Sequence, residues 1–130
     1  AWMSIAAVTG RPLTIYGDGK QIRDVLYIDD LLDAYDAAIA RIDRVKGGVY
    51  NLGGGPKNTL SIWTEFGPLL EKLLGTSIPV QCGDWRPGDQ KVFVADIRKA
   101  ERELGWKPKV GVEQGVKMLF EWVQKNRTLF

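Results

Sequence analysis

At 130 residues, with 18 Lys and Arg against 16 Asp and Glu for a net charge of +2, the chain has the length of one domain and too little positive charge to argue for a nucleic-acid partner. One cysteine, Cys82, excludes an internal disulfide, and the lack of histidine leaves no convincing transition-metal site. No apolar stretch is long enough to span a membrane, which makes the cytoplasm the expected location.

The apolar N-terminal stretch lacks a basic leader and runs into Gly10-Arg11-Pro12, so it reads as the end of a helix over 2–9 rather than a secretion signal. Strands are expected over 13–16 and 22–28, the second entered through Gly17-Asp18-Gly19, where glycine supplies the positive φ of a tight turn. Asp29 and Asp30 suit a helix start, where carboxylates meet free backbone N–H groups. That helix is predicted over 29–44, with Leu31, Leu32, Tyr35, Ala38, Ile39 and Ile42 on one broad face, and it stops at Gly47-Gly48.

A strand is expected over 49–52. A helix opening near Ser61 carries Ile62, Phe66, Leu69, Leu70, Leu73 and Leu74 at helical spacing as far as Gly75. Pro68 either kinks it or marks a late start. Strands over 78–81 and 92–95 and helices over 97–104 and 112–125 complete the chain. Cys82 reads as a small buried residue of a strand, and Trp63 and Trp106 as packing residues.

Two arginines carry the functional signal. Arg23 follows the glycine turn on a strand, a rigid place for a guanidinium that clamps phosphate. A structural ion pair with Asp24 is the alternative that the spacing leaves open. Arg86 lies in the Pro-Gly turn Trp85-Arg86-Pro87-Gly88-Asp89-Gln90, ahead of the apolar run Val92-Phe93-Val94-Ala95-Asp96. Two loop-borne arginines can straddle a diphosphate.

These runs resemble the C-terminal halves of the extended short-chain dehydrogenase/reductases that act on sugar nucleotides. That family carries Gly-Asp-Gly-x-Gln-x-Arg-Asp, then an aromatic and an Asp, and later Arg-x-Gly-Asp. Residues 17–24, Tyr27, Asp29 and 86–89 match it. So do Tyr50-Asn51-Leu52-Gly53-Gly54, Leu60-Ser61, Asp96 ahead of Lys99, Ala100 and Leu104, and Gly105-Trp106-Lys107-Pro108, in an order that covers nearly the whole chain. Asp89-Gln90 followed by the run 92–96 is similar to the branch that epimerises CDP-sugars at C2.

The resemblance implies an α/β fold: one fragment, 1–130, from the C-terminal part of a Rossmann-type enzyme. It would be mainly the substrate-binding subdomain, with 29–52 as returning elements of the nucleotide-binding sheet. It implies an NAD-dependent epimerase, in which bound NAD removes a hydride from the sugar, a keto intermediate rotates, and the hydride returns to the other face. The implied partner is a nucleotide sugar, with a CDP-sugar expected, and Arg23 and Arg86 would hold its diphosphate. Asp89 would accept a ribose hydroxyl, or as a turn aspartate bond its own backbone. Gln21 would reach nucleotide oxygens, or face solvent beside the turn. Tyr16 would stack on or edge the base, or pack within its strand.

The family's glycine-rich NAD turn and catalytic Tyr-x-x-x-Lys are not among these residues. Gly53-Gly54-Gly55 lacks the later glycine of the dinucleotide fingerprint. Tyr16 and Lys20 satisfy Tyr-x-x-x-Lys in spacing, but Gly17-Asp18-Gly19 breaks the helix that would bring them to one face. No catalytic residue and no cofactor are therefore expected in this chain, although NAD belongs to the full-length family. A related dehydratase or 4-epimerase, or a non-catalytic nucleotide-sugar-binding or self-associating module from a truncated gene, are the alternative readings. An apolar stripe of Leu32, Tyr35 and Ile39, joined by Met3, Ile5 and Val8, and an open edge at 49–52 predict a homodimer.

Overall fold

The computed structural model describes residues 1–130. Its elements are α1 (Trp2–Thr9), β1 (Leu13–Tyr16), β2 (Ile22–Asp24), α2 (Ile28–Ile39), α3 (Ile42–Val45), β3 (Thr59–Ser61), α4 (Phe66–Leu74), β4 (Val80–Gly83), β5 (Val92–Phe93), α5 (Arg98–Leu104), α6 (Val112–Lys125) and a closing 3-10 turn, Arg127–Leu129. Leu13 and Ile15 of β1 point inward while Thr14 and Tyr16 face out, the period-2 alternation of a half-buried strand. β1 pairs in parallel with β4, placing Tyr16 opposite Gly83. β2 is the centre of a second sheet, antiparallel to β3 and parallel to β5.

Two cores form. In the first, Ala6, Ala7 and Val8 give α1 a small-residue face that lies against Val116, Phe120 and Val123 of α6, with Leu13, Leu70 and Ile78 filling the rest. The second joins Ala34, Val45, Ala95, Ile97, Ala100, Leu104 and Trp106. Asp30 fastens this second core across a long sequence gap. Its buried carboxylate accepts the N–H groups of Lys109 and Val110 at 3.0 Å each, and its carbonyl accepts Trp106 Nε1–H at 2.7 Å. Trp106 is thus the packing residue the sequence suggests.

Several expected boundaries move. The strand predicted over 22–28 ends at Asp24, because β3 and β5 supply partners no further; helix α2 then begins at Ile28 behind Tyr27. The helix predicted over 29–44 breaks at residues 40–41, and Arg41 starts the separate turn α3. Residues 49–52 form no strand: no strand of this chain lies beside them, and Lys99 Nζ holds the Val49 carbonyl at 2.9 Å. Pro68 sits in the first turn of α4, so it marks a late start, not a kink.

Strand β4 runs two residues later than predicted and pairs with β1 alone, which leaves Cys82 exposed instead of buried. Val8 is buried in the first core, and Met3 and Ile5 pack against it, so these three do not extend an exposed stripe. The exposed apolar residue of α1 is Trp2. No helix is long and apolar enough to cross a membrane.

Candidate functional site

The turn between β1 and β2 and the loop between β4 and β5 face each other. The pairing of β1 with β4 continues into the turn, where Gly17 N–H donates to the Gly83 carbonyl at 2.9 Å. On the other side Ile22 N–H donates to Lys91 O at 2.9 Å. Gly17 and Gly19 both have positive φ, 77° and 72°, which glycine adopts without the Cβ penalty. The Gly19 carbonyl accepts the N–H groups of Trp63 and Thr64, hanging the entry to α4 on the same turn.

All five residues singled out from the sequence lie at this junction. Arg23 donates from Nη1 to its neighbour Ile22 O and from Nη2 to Gln90 O, both at 2.8 Å, which pins the end of the 84–90 loop to β2. Arg86 forms a two-point ion pair with Asp89, Nε to Oδ2 and Nη2 to Oδ1 at 3.1 Å each. The Arg86 side chain is 60 % exposed and that of Asp89 17 %. Asp89, through hydrogen bonds first and charge second, pushes the Arg86 guanidinium pKa up from an already high value, so its charge is permanent. The guanidinium also lies over the Tyr16 ring, 4.8 Å from its centroid.

The open sequence alternatives resolve as follows. Asp24 is not the partner of Arg23: its Oδ2 accepts Gly55 N–H at 2.9 Å and Ala95 N–H at 3.2 Å, tying two loops to β2. The Asp89 side chain bonds the Arg86 guanidinium and no backbone group, while the Asp89 N–H donates to the Arg86 carbonyl at 3.1 Å and closes the turn. Gln21 does not face solvent. It is 2 % exposed and donates from Nε2 to Tyr16 O at 2.7 Å, holding the turn from beneath, while its Oε1 is buried with no partner.

Sequence reasoning missed two contributors. The Gln90 carbonyl is a backbone group, invisible to any motif, yet it sets where Arg23 points. Trp85 sits directly before Arg86 and lies against Gly17; an aromatic beside a loop arginine is the signal that could have found it.

A cleft of about 640 Å³ lies elsewhere, between the 54–58 loop and the start of α5. Arg98 there is held by Asp96 at 2.6–2.8 Å, and these hydrogen bonds keep the Asp96 carboxyl well below the usual carboxylate range. Neither arginine of the junction lines this cleft. The Gly53-Gly54-Gly55 loop is bonded to Asp24 and leads into β3, not a helix, so it offers no helix N-terminus for a dinucleotide pyrophosphate. Tyr16 lies on a strand and Lys20 in the turn beyond it, so these two do not share a helix face. No group of three His, Cys, Asp or Glu residues is placed to hold a metal ion.

Comparison with known proteins gives one consistent result. The family described as GDP-mannose 4,6 dehydratase matches residues 2–119. The CDP-paratose 2-epimerase of Salmonella typhi is 39 % identical over 117 residues, covering 86 % of this chain and 33 % of its own length. The UDP-glucose 4-epimerase 1 of Oryza sativa is 39 % identical over 131 residues, 92 % of this chain and 36 % of its own. The chain thus spans about a third of the length of the curated relatives it matches. The crystal structure of the UDP-glucuronic acid 4-epimerase of Bacillus cereus with UDP-glucuronic acid and NAD superposes with a TM-score of 0.84 at 33 % identity, over 98 % of this chain and 38 % of that one. The mixed α/β fold matches the C-terminal portion of such Rossmann-type structures.

Proposed function

The chain belongs to this family of NAD-dependent sugar-nucleotide epimerases and dehydratases, and from that membership we propose that it is the nucleotide-sugar-binding part of an epimerase, with a CDP-linked sugar as its ligand. The observation that carries this reading is the convergence of Arg23, Arg86, Asp89 and Tyr16 on one junction, built by a glycine turn and a Pro-Gly loop. The relative from Salmonella typhi, a CDP-paratose 2-epimerase, supports the CDP preference and the C2 chemistry. NAD would supply the hydride chemistry in the whole enzyme. The residues of this chain supply grip: paired guanidiniums for the diphosphate, the Asp89 carboxylate for a ribose hydroxyl, and Tyr16, held from beneath by Gln21, toward the base.

In this reading residues 29–52 belong with the nucleotide-binding sheet and the remainder is the substrate subdomain. The chain alone is inactive, since its glycine triplet makes no dinucleotide cradle and its Tyr-x-x-x-Lys spacing falls across a turn. Calorimetric titration tests the proposal. CDP-glucose is expected to bind and NAD is not. Arg86→Ala and Arg23→Ala are each expected to weaken CDP-glucose by about 1.5–3 kcal/mol, the size of a charge-assisted hydrogen bond, with little loss of folding. Unchanged affinity in both variants returns the arginines to a structural role, and saturable NAD binding overturns the assignment of inactivity.

A further inference from the structure

The loop that carries Arg86 also carries an indole that lays one face on the glycine turn and still meets solvent. A Cβ built on Gly17 would fall 2.8 Å from both Cδ2 and Cε2 of Trp85. Those two carbons form the bond shared by the two rings, and a point equally close to both, with no rim atom nearer, lies over the ring face. Trp85 is therefore seated flat on the Gly17 backbone, a contact that any side chain at position 17 would block. The same point is 2.7 Å from Gln21 Nε2, so the buried amide supports the seat from the inside. Trp85 nevertheless stays 42 % exposed.

A surface indole kept only for packing turns its area inward. Here one face meets the turn, yet a large part of the residue stays in solvent. Tyr16, the other aromatic at the junction, is less available: the Arg86 guanidinium already covers one face of its ring at 4.8 Å. The guanidinium in turn is held in place by Asp89. Charge for a diphosphate and a flat apolar surface thus stand on adjacent residues of one loop, itself tied down by Arg23 through Gln90 O.

We propose that Trp85 is the stacking platform for the nucleobase of the bound nucleotide sugar, and that Tyr16 serves instead to back Arg86. The proposal rests on the nucleotide-sugar reading above and puts Trp85 in place of Tyr16 as the residue that takes the base. A seated indole loses little rotamer freedom when a base lands on it, so the stacking contributes to affinity with little ordering cost. Because every base has a π-face, the platform favours nucleotides over inorganic diphosphate and does not by itself choose among bases.

The test uses the 130-residue chain, titrated with CDP and separately with inorganic pyrophosphate, followed by calorimetry and tryptophan fluorescence. CDP is expected to quench fluorescence and pyrophosphate to leave it nearly unchanged. Trp85→Ala is expected to weaken CDP about 5- to 100-fold, the usual range for losing a base–aromatic stack, with pyrophosphate affinity unaltered. Trp85→Phe keeps a stacking face, so it should retain most of the affinity while abolishing the quench, which keeps the test decisive if the alanine variant folds poorly. CDP affinity unchanged in Trp85→Ala, or a quench that survives in Trp85→Phe, overturns the platform and leaves the nucleotide-sugar reading standing. Equal weakening of CDP and pyrophosphate in Trp85→Ala also overturns it, since the loop as a whole has then moved. If the unsubstituted chain binds neither ligand, both readings fall together.

Discussion

The two cores differ in how they are closed. In the first, α1, α4 and α6 surround Leu13, Leu70, Phe120 and Val123, so large side chains are enclosed on every side by this chain. In the second, α2 turns Ala34 toward α5 and Trp106 and presents large apolar residues on its other side: Leu32, Tyr35 and Ile39 are all exposed, Ile39 at 67 %. Small residues inside and large ones outside is the inverse of an ordinary surface helix. The enclosed half is self-sufficient, whereas α2 is apolar on two faces and only one of them is covered. The candidate site is tied to both cores: β1, which ends at Tyr16, carries Leu13 of the first, and Asp24, next to Arg23, accepts the N–H of Ala95 of the second.

The sharpest way to break this comparison is to cut equivalent side chains from each region. Phe120→Ala removes a ring that is almost wholly enclosed and is expected to destabilise the fold by about 3–5 kcal/mol, the transfer loss plus the cavity left behind. Leu32→Ala removes a side chain that is half in water, and its expected effect on the monomer is within about 0.5 kcal/mol. Denaturant unfolding of both variants decides the matter, and a similar loss in the two would mean that α2 is as enclosed as the first core.

Self-association sharpens the same contrast. Leu32, Tyr35 and Ile39 are the kind of exposed apolar group that marks an interaction face, and a second copy carries the same stripe. We expect a homodimer through α2, and a double variant Tyr35→Glu/Ile39→Lys that weakens the dimer about tenfold or more. Sedimentation across a hundredfold range of concentration reads the outcome, since an interface that stabilises the fold leaves a concentration-dependent trace. A well-folded monomer of the unsubstituted chain throughout that range would contradict the expectation.

What was legible in the sequence follows from range. Helix α1, strand β1 and helix α6 lie where the sequence put them, because apolar spacing and the Gly10 stop are local signals. The glycine turn and the Pro-Gly loop were equally readable, and with them the positions of Arg23 and Arg86. Strand ends were not, since they depend on where a partner stops: β2 ends at Asp24 because Thr59 is the last residue opposite it. Asp30 looked like a helix-start residue and is one, but its two backbone partners lie 79 and 80 residues away. The burial of Gln21 and the seat of Trp85 on Gly17 are likewise contacts between distant segments that no motif encodes. Cys82 was misplaced for a simpler reason: β4 is shifted by two residues and paired on one side only, so this residue is left exposed.

The smallest expected effect concerns the joint where the site turn meets the closed core. Between β3 and α4, the Glu65 carboxylate accepts Ser61 N–H at 2.6 Å, while the Ser61 hydroxyl pairs with Thr64. The backbone hydrogen bond from Ser61, with a further contribution from its side chain, lowers the Glu65 pKa below its ordinary 4.5. A depressed carboxylate stabilises the fold fully above its unfolded pKa, and that contribution is lost as pH falls through the lower folded value. Glu65→Gln retains an acceptor for Ser61 but no titration. The variant should therefore be slightly less stable than the unsubstituted chain near neutral pH, and the gap should close on acidification below about 4.5. Denaturant midpoints measured from about pH 6 down to about pH 3 test this sign. A gap that widens in acid would mean that Glu65 is not held in its charged form by Ser61, and that the entry to α4 depends on Gly19 alone.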